Sequence, residues 1–301
     1  MDVAISGSSG LIGTALVTAL TAAGHRPVRL VRREPAGDEI RWDPDGGSID
    51  AQSLEGIGGV VHLAGAGIGD HRWTDEYKLE ILRSRTKSTV LLAGALADLG
   101  KPPSVLVSGS AIGFYGDRGD ELLDEASPAG TGFLPEVCVA WEAATVAAEE
   151  AGIRVAHLRT GIVLSGEGGA LKKQLPLFKV GAGGKLGSGR QWQSWISIVD
   201  EVGAIVHLLT ADVRGAVNLT APNPVRNAEF TKTLAGVLGR PSFLPIPSFG
   251  PKLLLGSELA DNLLFAGQRV SPKVLESTDY AFQHPTLEVA LRAVLDKPTA
   301  A

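Results

Sequence analysis

The chain has 301 residues, long enough for one large or two moderate domains around a sizeable core. With 28 basic and 33 acidic residues its formal charge is −5, which leaves no basic field to hold nucleic acid or an anionic membrane. One cysteine, Cys138, excludes an intrachain disulfide and a multi-cysteine metal site, and the 6 scattered histidines form no i, i+4 pair, so no metal is expected.

Apolar and polar periodicity places a buried strand at residues 3–5 and a helix at 11–23 stopped by Gly24. Strands follow at 27–31, 40–42 and 59–64. Residues 74–99 form a long helix with Thr74 as N-cap and Gly100 and Pro102 as stops. A strand at 104–108, a helix at 135–151 ended by Gly152, and a strand at 154–159 complete the alternation. Strands separated by crossover helices predict a Rossmann-type, doubly wound parallel sheet, the α/β class, with helices on both faces. Eight glycines crowd residues 166–189 and suggest loops beside a cleft. A strand at 194–199 and a helix at 201–209 return to the sheet, and proline breaks dominate beyond Val213. The expected organisation is a Rossmann domain over 1–164, joined again by 191–212. A smaller C-terminal substrate lobe is expected from 165–190 and 213–301. The absence of a charged start before an apolar stretch, and of any apolar run near ~18 residues, predicts a cytoplasmic protein without a membrane span.

Between the first strand and first helix stands Gly7-Ser8-Ser9-Gly10-Leu11-Ile12-Gly13. Glycine recurs there for three reasons: a sharp turn, close backbone approach to a pyrophosphate, and tight packing of helix on strand. The helix start then offers free N–H groups and the positive end of its dipole to the phosphates. At the end of the second strand, where an NAD-preferring fold carries a ribose-binding carboxylate, the chain reads Arg32-Arg33. Guanidiniums at that place suit a 2′-phosphate, so NADP(H) is expected over NAD. The alternative is that one or both are solvated surface charges, with Glu34 as a weak ribose ligand.

These features resemble the atypical branch of the extended short-chain dehydrogenase/reductases, the NAD(P)-dependent epimerase-like proteins related to nucleotide-sugar epimerases. The segments that carry the resemblance are SGSSGLIG (6–13), HLAGAGIGDHRW (62–73), SRTKST (84–89), SGSAIGFYG (108–116), FLPEVCVAWE (133–142), RTGIVLS (159–165) and QSWISIVDE (193–201), with 267–285 near the end. The resemblance implies that residues 7–13 cradle a pyrophosphate and that Leu63, Ala64 and Gly65 run along the cofactor. It also implies a serine that steadies the reacting oxygen: Ser110, with Ser108 as the second choice and as a cofactor contact. The superfamily's Tyr-x-x-x-Lys pair is missing, because the fourth residues after Tyr77, Tyr115 and Tyr280 are Ile81, Gly119 and His284. The matching helix carries Cys138 and Glu142 one turn apart on one face. An ionised Glu142 beside the nicotinamide would favour the oxidised, cationic ring. Ile162 stands where nucleotide-sugar epimerases keep an asparagine, so sugar-nucleotide epimerisation is not inherited.

Tyr115 is the nearest alternative phenolic acid, or else a packed aromatic. Arg190, Trp192 and Trp195 suit an anionic or planar substrate, with core packing of the tryptophans as the other reading. Arg83 and Arg85 are two apart on the long helix and are not expected to face the cleft together. The expected function is an NADP(H)-dependent oxidoreductase or epimerase-like enzyme acting on a small molecule near Ser110. Tyr115 or a bound water would move the proton. The rival is an NADP(H)-binding regulatory or sensor protein in which catalysis has lapsed. A homodimer through the long helices would follow by analogy only.

Overall fold

The computed structural model describes residues 1–298; the last three residues of the expected lobe, 299–301, lie outside them. Continuous apolar runs form strands buried on both faces, as a parallel sheet between helix layers requires. The first half contains β1 (Asp2–Ser6), α1 (Leu11–Ala22), β2 (Arg26–Val31), β3 (Glu39–Asp43), β4 (Ser48–Ile49) and β5 (Gly59–His62). The long helix α2 (Asp75–Ala97) then leads to β6 (Val105–Ala111) and the short β7 (Leu122–Leu123). Thr74 caps α2 by accepting from Tyr77 N at 3.2 Å, with Asp75 and Glu76 favourably placed in the first turn.

The helix expected over 135–151 is two helices, α3 (Phe133–Ala143) and α4 (Val146–Glu150). The Thr145 hydroxyl donates to Glu142 O at 2.8 Å, and the amides of Ala144 and Thr145 bond three residues back. A side chain competing for the helical carbonyl breaks the helix there. After β8 (Arg154–Thr160), β9 (Ile162–Leu164) and α5 (Gly169–Lys179) come β10 (Trp192–Gln193), β11 (Trp195–Ser197), α6 (Ile198–Leu208) and β12 (Gly215–Leu219). The C-terminal part holds β13 (Val225–Arg226), α7 (Asn227–Leu238), α8 (Phe249–Leu255), α9 (Ser257–Ala260), β14 (Arg269–Val270), α10 (Lys273–Ser277) and α11 (Leu287–Val294).

Eight strands make one sheet in the order β12-β8-β6-β5-β1-β2-β3-β4, parallel except for the β3–β4 hairpin. Residues 215–219, expected in the smaller lobe, are therefore a sheet strand. Val217 and Leu219 are buried against β8, and α6 supplies the crossover. The short run was hidden by the prolines that follow it. Conversely, β11 leaves the sheet and pairs with β9, while Ser197 caps α6 by accepting from Asp200 N at 3.0 Å.

One apolar cluster packs α1 and α6 on the sheet through Leu16, Leu20, Ile205 and Leu208. Another packs α2 and α4 on the opposite face through Leu92, Leu96 and Ala148. A third holds the lobe together around Phe178, Trp195, Phe230 and Leu291. Leu275 of α10 joins the first cluster beside Val217, with Tyr280 and Phe282 packed against it. Among the described residues no helix is long and apolar enough to cross a membrane, and no group of three His, Cys, Asp or Glu could hold a metal.

Candidate functional site

The order of the sheet reverses between β1 and β5, and the crevice beyond their carboxyl ends is where a doubly wound fold takes its ligand. Gly7 follows β1 with φ +70°, and a Cβ there would lie 2.8 Å from Leu63 C. A Cβ on Gly13 would lie 2.7 Å from Ser8 Cα and would also strike Gly7 O. Gly10 differs: its Cβ would meet only Gly7 O, at 3.4 Å, and otherwise opens into the crevice. The cradle is thus closed by backbone on two sides and open at the start of α1, the shape a dinucleotide pyrophosphate fills. Its floor is a buried polar network. Ser6 Oγ lies 2.6 Å from His62 Nδ1, and His62 Nε2 lies 2.9 Å from Thr89 Oγ1. Burial pushes the His62 imidazole down to about 4, so it stays neutral.

On one side of the turn lies a cavity of about 720 Å³ bordered by Ser8, Ser9, Ala64 and Gly65 and by a basic rim of Arg29, Arg32, Arg33, Arg83 and Lys87. Arg33 is clasped by Glu39 at 2.6 and 2.7 Å, whereas Arg32 has no side-chain partner among the described residues. On the other side, a cavity of about 560 Å³ shares Gly7, Gly10 and Leu63 with the first and touches Leu11, Ile12 and Gly13. Its far wall is largely apolar, with Ile68, Leu134, Val137, Leu263 and Leu264. Ser110 faces this cleft, and its hydroxyl donates to Glu142 Oε1 at 2.7 Å. Behind it, Arg159 grips both carboxylate oxygens of Glu142 at 2.9 Å. Arg159 also donates to Tyr115 Oη at 3.1 Å, and Tyr115 donates to Asn218 Oδ1 at 2.6 Å.

Residues 3–220 match the NAD dependent epimerase/dehydratase family. The chain belongs to that family. Residues 246–294 match a second family described only as a domain of unknown function. Epimerase family protein Mb2239 of Mycobacterium bovis is 45% identical over 298 residues, 98% of either chain. Epimerase family protein SDR39U1 of Homo sapiens is 36% identical over 299 residues, 98% of this chain and 100% of that one. A crystal structure of the human protein (isoform2) with NADPH has a TM-score of 0.91 at 34% identity, covering 98% of this chain and 99% of that one.

The polar groups around the cleft differ from what the sequence led one to expect. Tyr115 does not reach the cleft. It is fully buried, packed with Ile112 and Leu123, and its hydroxyl is spent on Asn218, which overturns its expected part as a phenolic acid. Glu142 does not confront a nicotinamide as a free charge, because Arg159 neutralises it from behind. Burial raises the Glu142 carboxyl, but the hydrogen bonds from Arg159 and Ser110 outweigh this and hold it below the ordinary range. Cys138 does line the cleft, yet burial and then the Glu142 charge push its thiol up to about 11, so it is no nucleophile at neutral pH. Ser108 is buried beneath Ser110 on the same face of β6, its Oγ without a partner among the described residues and away from both cavities.

Trp195 is core. It is fully buried, and its indole N–H donates to Asn223 O at 3.0 Å. Trp192 does line the cleft, but the arginines over its ring are Arg226 and Arg269; Arg190 is exposed and lines neither cavity. Arg83 and Arg85 both reach ligand space, contrary to expectation, because Arg83 rims the basic cavity and Arg85 enters the apolar one. Gln191, Gln193 and Asn262 also line the cleft and were not anticipated. One sequence signal does mark that wall: a Cβ on Gly267 would sit 2.6 Å from Trp192 O, so glycine lets the C-terminal loop approach β10.

Proposed function

We propose that the protein binds NADP(H) across the glycine turn and acts as an oxidoreductase or epimerase-like enzyme on a small molecule in the apolar cleft. The observation that carries this reading is the continuity of two unlike cavities through Gly7, Gly10 and Leu63, a basic one for a phosphorylated adenosine and an apolar one ending at Ser110. Residues 7–13 would hold the pyrophosphate, and Leu63, Ala64 and Gly65 would border the adenosine side. The NADPH held by the human relative supports the choice of cofactor. When bound, it supplies a hydride. Because the Ser110 proton is directed at Glu142, its oxygen is free to accept a hydrogen bond from a substrate hydroxyl. Glu142, kept ionised by Arg159, holds that orientation.

Gly10→Val leaves the fold intact, since Gly10 has ordinary extended geometry (φ −76°) and open space ahead of it. It should abolish NADPH binding in calorimetry; full affinity in the folded variant would refute the pyrophosphate site. Arg32→Ala should weaken NADP binding about ten- to a hundredfold, the usual loss for charge-assisted contacts, and leave NAD unchanged. Arg33→Ala should do less, because Glu39 already engages that guanidinium. Equal losses for NAD and NADP in Arg32→Ala would rule out a 2′-phosphate contact.

A second reading, an NADP(H)-binding sensor without turnover, draws support from Tyr115, Glu142 and Cys138. The first faces away from the cleft, the second is paired, and the third is held as a thiol. NADPH consumption in the presence of a carbonyl panel separates the two. Oxidation above background establishes the enzyme, and tight binding without oxidation establishes the sensor.

A further inference from the structure

Among the described residues that line the apolar cleft, Arg85 is the one charged side chain. It is partly buried, and its guanidinium lies 5.0 Å from the Trp141 ring centroid. It also lies against Gly65, where a Cβ would come 3.3 Å from Arg85 Cζ. Its polar satisfaction is poor. Of five N–H donors, one bond is made within the described residues, from Nη1 to Ile81 O at 3.0 Å, and no carboxylate pairs with it. The acid closest in role, Glu142, is engaged by Arg159 instead. A partly buried guanidinium with donors to spare beside an apolar cleft is suited to take an anion there.

We propose that Arg85 anchors the substrate and that the substrate is a compact, largely apolar monocarboxylate rather than a nucleotide sugar. The inference rests on the preceding reading, in which the cofactor occupies the glycine turn and leaves only the outer part of the cleft free. One guanidinium matches one carboxylate in a paired, planar contact. The diphosphate of a nucleotide sugar carries two charges, one more than this guanidinium matches, and this wall offers Leu134, Val137, Leu263 and Leu264 beside it.

The test titrates butyrate, octanoate and phenylacetate, each beside its neutral amide, and UDP-glucose into NADPH-loaded protein, read by tryptophan fluorescence. At least one carboxylate should bind ten times more tightly than its amide. Arg85→Met should erase that preference, Arg85→Lys should keep part of it, and both should hold NADPH within about twofold of the parent affinity. Lack of preference in all three pairs, or tighter binding of UDP-glucose than of any carboxylate, overturns the proposal. So does a loss of NADPH affinity in Arg85→Met equal to the loss for carboxylate, which would place the guanidinium on the cofactor phosphates. Should NADPH itself fail to bind, the earlier reading falls, while the same pairs titrated into the free protein still decide the role of Arg85.

Discussion

Arg159→Met should lower the stability of the folded chain by about 3–5 kcal/mol, the usual cost of removing one partner from a buried ion pair. The Arg159 and Glu142 side chains are 6% and 14% exposed, so water replaces little of what is lost. Glu142 would keep only the Ser110 hydroxyl, and Tyr115 Oη would lose its donor. Replacing both partners together, Arg159→Met with Glu142→Leu, should recover most of the loss, because no unpaired charge remains. The effect has a defined pH window. The Glu142 carboxyl is held below its unfolded value, so the pair's contribution is fully present above that value and disappears as pH falls through the folded one. Urea midpoints of the single and double variants at neutral pH measure both effects. Equal midpoints for parent and Arg159→Met would show that the pair contributes nothing.

Glu201 should reverse the usual acid sensitivity of a carboxyl. It is fully buried at the start of α6, receives one hydrogen bond from Thr160 Oγ1 at 2.9 Å, and has no partner for Oε2 among the described residues. Burial, only partly offset by Thr160, pushes its pKa up to about 8. A raised folded value means that the folded state binds the extra proton. Its contribution is therefore complete below the unfolded value and declines as pH rises through about 8. Below the ordinary histidine range, His62 works in the opposite direction, since its folded value of about 4 makes the protein gain stability as pH rises. The unobscured window lies between pH ~6.5 and ~8, where stability should fall by roughly 2 kcal/mol. Glu201→Gln should flatten that slope. Denaturant unfolding across the window reads it directly, and a parallel slope in the variant would assign the pH dependence to another group.

What the sequence revealed of the site was local. The glycine turn and Arg32 lie within a few residues of the strands that position them, and strand-turn-helix order is enough to place such groups. Ser110 follows from its strand end in the same way. The fate of Glu142 could not be read locally, because its partner Arg159 arrives from the next strand, 17 residues on, through sheet pairing. Tyr115 is drawn inward by Asn218, 103 residues away on a strand that propriety of pattern concealed behind prolines. Trp195 shows the limit of composition as a guide: an aromatic beside a glycine-rich stretch suits a ligand wall and a core equally, and only packing separates them. The lining of the cleft brings together residues near 134, 192 and 263, whose meeting no periodicity records.

The first family match ends at residue 220 and the second begins at residue 246, but the folded molecule has no seam between them. Leu275, from the second match, fills the same apolar cluster as Val217 and Leu219 of the first. Asp200, completely buried in the first match, receives the amides of Gln283 and His284 at 2.7 and 2.9 Å and the Tyr280 hydroxyl on its carbonyl at 3.0 Å. Those donors belong to the second match. A chain ended between the two would expose the underside of the sheet edge and strand a carboxylate in the interior. The two stretches thus pack as one body: opening the second would uncover β12 and α6, which it covers through Leu275, Tyr280 and the amides on Asp200.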